Sequence, residues 1–293
     1  MIRQLILLAM GVLALSACNA DPPQQDGERA SPILIELADN QGQPKGWLFG
    51  TIHSLPRDVQ WRSETLDAAI ADADLLMVEI AALDDQQALR DVFSRLASTP
   101  GQPDVGLKVP ADYRPKLFDM IQQTGFSPGD FSATETWAVA LLLAQLEDTG
   151  DAAHGADRAL IRDFAGREIK EFEGAAKQLG IFDRLPESEQ RDLLVGVIDD
   201  IERLKLEPGK LRKAWLEGDE TALIEATNSG ILADRELRQA LLVDRNNAWM
   251  DQLVPMLEQG KKPLVAVGAA HIVGPDGLAE LLRQRGYTVT RIQ

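Results

Sequence analysis

Two segments of the chain repeat one pattern, an apolar run that ends in Gly-x-x-His. They are Trp47-Leu48-Phe49-Gly50-Thr51-Ile52-His53 and Pro263-Leu264-Val265-Ala266-Val267-Gly268-Ala269-Ala270-His271. Short apolar runs of aromatic and β-branched residues that end at glycine predict buried strands. Histidine is the commonest metal ligand and titrates near neutral pH. We therefore expect two strands that each end in a turn and bring His53 and His271 to one site.

Around these segments, short apolar runs alternate with amphipathic helical patterns. The alternation predicts an α/β fold with a mostly parallel or mixed central sheet flanked by helices. Residues 174–258 have an almost wholly helical pattern, which predicts a large helical insertion or cap before the last β-α-β unit. The predicted strands are 33–37, 46–49, 75–79, 168–172, 264–267 and 287–292, and the other predicted helices are 63–73, 84–97, 111–124, 133–147, 156–164 and 277–285.

The N-terminal residues predict export followed by a lipid anchor. Residues 1–17 have one positive charge, an apolar core and small residues before a cysteine, as secretory signals do. Leu15-Ser16-Ala17-Cys18 resembles a bacterial lipobox, in which the cysteine is lipidated; the alternative is an ordinary signal with a chance cysteine. By resemblance to enterobacterial sorting rules, Asn19 after the cysteine favours the outer membrane over retention at the inner one, and we expect the protein at the periplasmic face of the outer membrane. Residues 18–31 predict a flexible tether and residues 32–293 the folded domain.

The cysteine content and the net charge exclude some kinds of site and some kinds of partner. Cys18 is the only cysteine, so the mature chain has no disulfide, catalytic thiol or thiolate metal site. The formal net charge is −16 and becomes −17 when Arg3 leaves with the signal. Because such a charge repels nucleic acid and anionic lipid headgroups, we expect no nucleic-acid partner and a membrane link made by the lipid alone.

Four polar side chains lie at or just past the ends of predicted strands. They are His53, Glu79, Glu173 and His271. In open α/β sheets, ligand sites lie outside the carboxyl ends of the strands. The glycine that opens each histidine motif permits a sharp exit turn. Two imidazoles and a carboxylate are suitable ligands for a divalent ion that keeps positions open for water or substrate. Such an ion lowers the pKa of bound water, which favours hydrolysis.

Further blocks, together with the two histidine motifs, resemble the TraB/GumN family. The similarity runs in the family's order from about Ile33 to Ile292. It implies a fold similar to that of the erythromycin-esterase/ChaN-like proteins, among which are esterase-like hydrolases and haem-binding lipoproteins. The family also resembles the TIKI metalloproteases of animal cells. The blocks are 48–56, 78–79, 155–157, 171–174, 178–179, 214–219, 244–249 and 267–277.

The resemblance implies roles for five residues. His53 and His271 would be metal ligands, and Glu79 a third ligand or the general base for the attacking water. Arg245 would orient a carboxylate or stabilise an oxyanion, and Asn246 would donate a hydrogen bond. Simpler roles stay open: the histidines can bond backbone carbonyls. Glu79 and Arg245 can form a structural ion pair, and Asn246 can cap neighbouring backbone.

Four further residues are secondary candidates or are set aside. Asp157 belongs to one of the blocks, although an acid that complements a helix N-terminus is the simpler interpretation. Glu171 and Glu173 alternate on a strand, so only one of them faces the side of Glu79, and the resemblance favours Glu173. His154 matches neither histidine motif, and we expect it in a solvated loop.

The resemblance implies a lipid-tethered, metal-dependent hydrolase of amide or ester bonds in the cell envelope, with a peptide or small molecule as substrate and Mn, Co or Zn as the metal. A metal-free version would use His53 or His271 as general base, oriented by Glu79. A second class is a non-catalytic lipoprotein that holds haem or a small ligand between the histidines. A third is an assembly partner with a vestigial site. The sequence contains no Gly-x-Ser-x-Gly, His-Glu-x-x-His or phosphate-loop motif.

Overall fold

Six strands form one sheet in the computed structural model, which describes residues 30–147 and 150–293. The predicted signal peptide, the predicted lipidation site Cys18 and most of the predicted tether lie outside the described residues. The strands are β1 (Leu34–Ala38), β2 (Pro44–Thr51), β3 (Leu75–Val78), β4 (Glu168–Glu171), β5 (Pro263–Gly268) and β6 (Thr288–Arg291).

A tight turn joins β1 and β2 into a hairpin. Asp39 Oδ1 accepts hydrogen bonds from the backbone N–H groups of Gln41 and Gln43, both at 2.9 Å. Gly42 has a φ of 75°, in the left-handed region where glycine is not strained. The turn residues and the apolar runs on either side of them therefore both favour a hairpin, and the two strands pair in antiparallel fashion.

The strand order is β4-β3-β5-β2-β1-β6. The central strand β5 is parallel to β2 and β3, and β4 is parallel to β3, whereas β1 and β6 are antiparallel to their neighbours. Thr51 pairs with Gly268, and Val78 pairs with Ala266. The carboxyl ends of β2, β3 and β5 therefore meet at one edge, where both histidine motifs leave the sheet. The predicted α/β fold with a mixed sheet is confirmed.

The predicted helices are present with slightly shorter ends. Ser63 caps the first helix, and its hydroxyl accepts a hydrogen bond from the N–H of Leu66 at 3.0 Å. Within the described part of the chain, no helix has the length and apolar composition needed to cross a membrane. The helices are α1 (Glu64–Asp72), α2 (Gln86–Leu96), α3 (Arg114–Gln123), α4 (Thr136–Ala144), α5 (Ala156–Asp163), α6 (Gly174–Asp183), α7 (Glu187–Leu206), α8 (Lys210–Glu217), α9 (Glu220–Thr227), α10 (Arg235–Arg238), α11 (Asp244–Glu258) and α12 (Leu278–Gln284).

The helices divide between two hydrophobic cores. One core surrounds the sheet and includes apolar residues of α1, α5, α8, α9, α11 and α12. The second core joins α3 and α4 to α7, with Trp137 fully buried in it. The helices of residues 174–258 thus belong to both cores, because α7 packs on α4 whereas α8 and α11 pack on the sheet. That residues 174–258 form a cap or side lobe of the domain stays a prediction.

An aromatic cluster fixes the end of β2. Trp215 of α8 donates a hydrogen bond from Nε1 to the carbonyl oxygen of Gly50 at 2.7 Å. Its ring lies 5.8 Å from Trp61 and 6.4 Å from Phe49, measured between centroids. Since Gly50 opens the first histidine motif, the cluster holds the backbone from which the turn to His53 begins.

We expect Trp215→Phe to lower the free energy of unfolding by about 1–3 kcal/mol more than Trp137→Phe does. Both indoles are buried, but Trp137 Nε1 has no hydrogen-bond partner among the described residues, so its removal loses packing alone. Urea denaturation with unchanged m-values measures the difference. Equal losses in the two variants would contradict a stabilising bond to Gly50.

Candidate active site

His53 is held by an acidic partner on α5. Its Nδ1 lies 2.9 Å from Asp157 Oδ2, and Asp157 Oδ1 accepts a hydrogen bond from the Thr51 hydroxyl at 2.5 Å. Gly155 allows this approach, because a Cβ there would overlap the backbone carbonyl of His53. A carboxylate only accepts hydrogen bonds, so Nδ1 carries a proton and Nε2 is the titrating nitrogen.

The two members of this pair differ in exposure. The side chain of His53 is 71% exposed, and that of Asp157 is 9% exposed. The Asp157 carboxylate, assisted by Glu79, raises the pKa of His53 to about 9. His53 is therefore the exposed, proton-carrying member of the site, and Asp157 is the group that orients it.

Arg245 of α11 lies between two carboxylates. Its Nη2 donates to Glu79 Oε2 at 2.6 Å and to Glu173 Oε2 at 2.8 Å. The side chains of Arg245, Glu79 and Glu173 are 9%, 10% and 1% exposed. Burial alone would raise the pKa of Glu79, but the charge of His271 when it is protonated, the charges of Arg245 and His53, and the hydrogen bond from the Gly268 N–H lower this pKa below its ordinary value. Glu79 is therefore ionised throughout the physiological range.

Asn246 fixes the tautomer of His271. Its amide Nδ2 donates to the backbone oxygens of Asp276 at 2.7 Å and of His271 at 3.3 Å. Its Oδ1 therefore faces His271 Nδ1, at 2.7 Å, and accepts a proton from it. The remaining nitrogen, Nε2, carries a lone pair and accepts a hydrogen bond from Arg245 Nη1 at 3.1 Å.

His271 is buried and neutral. It is 6% exposed, and its ring centroid lies 4.4 Å from that of Trp249. Burial, together with the positive charge of Arg245, lowers the pKa of His271 to about 3. The two histidines of the repeated motif thus have opposite protonation states at neutral pH, although their sequences are alike.

The three residues predicted to form the site converge on Gly268, the last residue of β5. A Cβ built on Gly268 would lie 3.4 Å from Glu79 Oε1, 3.7 Å from His53 Nε2 and 3.8 Å from His271 Cδ2. The N–H of Gly268 also donates to Glu79 Oε1 at 2.9 Å. The structure therefore brings His53, Glu79 and His271 around one point, which the absence of a side chain at Gly268 keeps open.

The predicted metal ligands His53, Glu79 and His271 are not arranged to hold one metal ion together. Arg245 already bonds both Glu79 Oε2 and His271 Nε2, so a metal bound to those two atoms would have to displace a buried guanidinium. Among the described residues, three acidic side chains have potential ligand atoms within 4.8 Å of one another, Glu189, Asp234 and Glu236, and they are not part of this site. Haem iron would meet the same obstacle at His271. The predicted metal and haem stay predictions.

Arg245 has no N–H left for a substrate oxyanion. Nε bonds both oxygens of Glu173 at 3.1 Å, Nη2 bonds the two carboxylates, and Nη1 bonds His271 and the Leu241 carbonyl at 3.3 Å. A guanidinium has five N–H donors, and all are used. Of the roles open to Arg245 from sequence, the contacts show orientation of a carboxylate within a buried ion pair. Asn246 both caps backbone carbonyls and orients His271.

Of the remaining candidates from the sequence, one lies in the site and two lie outside it. Glu173 lies in the site, whereas Glu171 is exposed and accepts from the N–H of Ala81 at 2.9 Å. His154 lies 3.9 Å from Asp151, on a short 3₁₀ turn. Sequence reasoning gave no role to Gln178, whose Nε2 donates to Glu79 Oε2 at 3.4 Å. Its presence in a family block was the signal that could have found it.

Proton positions in this site are directly measurable. At pH 7 we expect His53 to be an imidazolium and His271 a neutral Nδ1–H tautomer, and we expect Asp157→Asn to lower the pKa of His53 toward 6.5. Because the folded-state pKa of His53 is raised, its pairing with Asp157 stabilises the fold fully below pH 6.5, and this contribution is lost as the pH rises through about 9.

Nitrogen-15 NMR titration of the three histidines measures both values, and urea denaturation at pH 6 and at pH 9.5 measures the loss in the wild type against Asp157→Asn. A folded-state pKa of His53 at or below 6.5 would contradict the assigned pairing.

Comparison with known proteins agrees with the resemblance seen in the sequence. The family model described as the TraB/PrgY/gumN family matches residues 33–291, which is nearly all of the described chain. No curated protein matches the chain, and no solved structure does. The matched range includes both histidine motifs, Glu79, Asp157 and Arg245. The chain therefore belongs to the TraB/PrgY/gumN family.

Proposed function

We propose that this site hydrolyses an amide or ester bond. His53, oriented by Asp157, acts as the general base that takes a proton from the attacking water and then gives it to the leaving group. The observation that carries the proposal is the contrast between His53, whose side chain is 71% exposed, and the buried groups around Arg245. An exposed imidazole whose Nδ1 is bonded to a buried carboxylate is the arrangement that general-base catalysis uses.

The chemical step follows from the free nitrogen of His53. The unprotonated form of Nε2 is the minor one at pH 7, because the pKa of His53 is about 9, so we expect activity to rise as the pH approaches 9. In that form Nε2 takes a proton from a water molecule while the water oxygen attacks the carbonyl carbon of the substrate. The resulting imidazolium then gives that proton to the leaving amine or alcohol as the carbon–nitrogen or carbon–oxygen bond breaks. Asp157 keeps Nδ1 protonated throughout, so that Nε2 always faces the reacting atoms.

Glu79 supports this step electrostatically. Its negative charge raises the pKa of His53 and therefore stabilises the imidazolium that forms during water attack. Arg245 and the N–H of Gly268 hold its two oxygens, at 2.6 Å and 2.9 Å. The carboxylate is thus ionised and fixed, and it acts by position and charge.

We also propose where the enzyme acts and on which class of substrate. A lipid on Cys18 would tether the enzyme to the cell envelope, at the periplasmic face of the outer membrane, where peptides and small envelope molecules are available. The metal-dependent hydrolysis that the family resemblance predicts can be distinguished from this proposal, because it needs a divalent ion. Haem binding can be distinguished as well, because it predicts a haem absorption spectrum that changes in His271→Ala.

We expect the protein to hydrolyse p-nitrophenyl butyrate or alanine p-nitroanilide with unchanged kcat/KM after treatment with a chelator. His53→Ala should lower kcat/KM by about 10²–10⁴-fold, since it removes the general base. His154→Ala is the matched control and should retain activity, because this histidine lies outside the site. Loss of turnover on chelation, with recovery on adding manganese, would support the metal-dependent mechanism instead. Equal activity of His53→Ala and the wild type would contradict both the metal-free and the metal-dependent mechanism.

Gly268→Ala tests the location of the reaction. The new methyl group would contact Glu79, His53 and His271 at 3.4–3.8 Å without overlap, so it fills the open point but leaves the fold intact. We expect at least about tenfold lower kcat/KM with an unchanged melting temperature. Gly196→Ala on α7, whose Cβ also lies no closer than 3.4 Å to a neighbour, serves as the control. Full activity of Gly268→Ala would place the reaction elsewhere.

A further inference from the structure

One oxygen of Glu79 keeps an acceptor position beside the open point at Gly268. Oε2 of Glu79 accepts hydrogen bonds from Arg245 at 2.6 Å and from Gln178 at 3.4 Å. Among the described residues, Oε1 accepts from one group, the N–H of Gly268 at 2.9 Å. Each oxygen of an ionised carboxylate has about two acceptor positions. Oε1 therefore keeps one position for a donor that comes from outside the protein.

A ligand can reach that acceptor position and the general base together. Gly268 is partly exposed, although the other residues of β5 are buried. An atom placed where a Cβ on Gly268 would be lies 3.4 Å from Glu79 Oε1 and 3.7 Å from His53 Nε2. One small group can therefore bind Glu79 beside the nitrogen that takes the proton from the attacking water.

The charges of the site are not balanced. Glu79 and Glu173 share one guanidinium, that of Arg245, and Asp157 pairs with His53. Three carboxylates and two cations give these five side chains a net charge of −1, which becomes −2 when His53 loses its proton. The side chains other than that of His53 are at most 10% exposed, so solvent screens their charges little. The site therefore favours a cationic ligand over a neutral or an anionic one.

A protonated α-amino group meets both requirements. It has N–H donors and a positive charge, and hydrogen bonds from an ammonium to a carboxylate are stronger than those between neutral groups. In an α-amino acid, the nitrogen and the carbonyl carbon are two bonds apart, which is about 2.5 Å. An ammonium bound to Glu79 Oε1 therefore leaves the adjacent carbonyl carbon close to the water that His53 activates. The N–H of an internal peptide bond would supply the donor without the charge.

We propose that Glu79 binds the protonated α-amino group of the substrate, so that the enzyme acts on the first residue of a peptide or on an amino acid amide or ester. This inference rests on the hydrolysis proposed above and adds the substrate class. The ammonium donates one N–H to Glu79 Oε1, and the water activated by His53 attacks the neighbouring carbonyl carbon. The bond to the leaving amine or alcohol breaks, and the leaving group takes the proton from His53. The products are a free amino acid and the amine or alcohol.

Three p-nitroanilides with the same leaving group test the proposal, those of L-alanine, L-lactic acid and N-acetyl-L-alanine. The lactic acid compound has a hydroxyl group of similar size in place of the ammonium. At about pH 6.5 an α-amino group is mostly protonated. We expect kcat/KM for the alanine compound to exceed that for the other two by at least about 30-fold. Equal kcat/KM for the alanine and lactic acid compounds would overturn the proposal and would leave the hydrolysis itself in place.

Two variants separate the contact with Glu79 from the general charge of the site. Glu79→Gln and Asp157→Asn each remove one negative charge, but only Glu79 has the acceptor position beside Gly268. We expect Glu79→Gln to reduce the preference for the alanine compound to within about threefold. We expect Asp157→Asn to lower kcat/KM for all three compounds and to keep a preference of at least about tenfold. A preference that persists in Glu79→Gln would overturn the proposal.

A binding measurement on the wild type needs neither turnover nor a folded variant. The nitrogen-15 shifts of His53 would be followed while L-alaninamide or L-lactamide is added. We expect L-alaninamide to bind at least about tenfold more tightly. Equal affinities, or no change with either compound up to about 50 mM, would overturn the proposal. Tighter binding of L-alaninamide by a protein that hydrolyses none of the compounds would support the ammonium site and contradict the proposed hydrolysis.

Discussion

The site depends on one guanidinium that holds the ends of three parallel strands together. Arg245 bonds Glu79 after β3, Glu173 after β4 and His271 after β5, and no N–H of the group remains free. Two carboxylates and one guanidinium removed from water are stable only with complete hydrogen bonding, because an unpaired buried charge is very costly. Arg245 thereby fixes the positions and the protonation states of the groups around it.

The repeated Gly-x-x-His motif yields two different histidines because their partners differ. His53 has a carboxylate partner and an exposed ring, and its pKa is raised to about 9. His271 has an amide partner, Asn246, and a buried ring, and its pKa is lowered to about 3. A pair of titratable groups with pKa values so far apart is typical of a site in which one group moves protons and the other keeps its charge state.

The sequence predicted the strands, the mixed sheet and the convergence of His53, Glu79 and His271, because apolar runs and glycine turns are local signals. The partners of these groups were harder to predict. Asp157 lies 104 residues after His53, and nothing local separates a carboxylate that orients a histidine from one that favours a helix N-terminus. The complete use of the Arg245 donors depends on three strand ends at once, which no pattern of spacing shows. The division of the later helices between two cores is likewise a matter of long-range packing.

The central claim, that Arg245 occupies the place a metal ligated by Glu79 and His271 would need, can be tested by anomalous diffraction. Crystals would be soaked in manganese or zinc chloride, and data collected at the absorption edge of the metal. We predict that Arg245 stays within hydrogen-bond distance of Glu79 and His271 and that the site shows no anomalous peak. A peak bonded to His53, Glu79 and His271, with Arg245 displaced, would contradict the account.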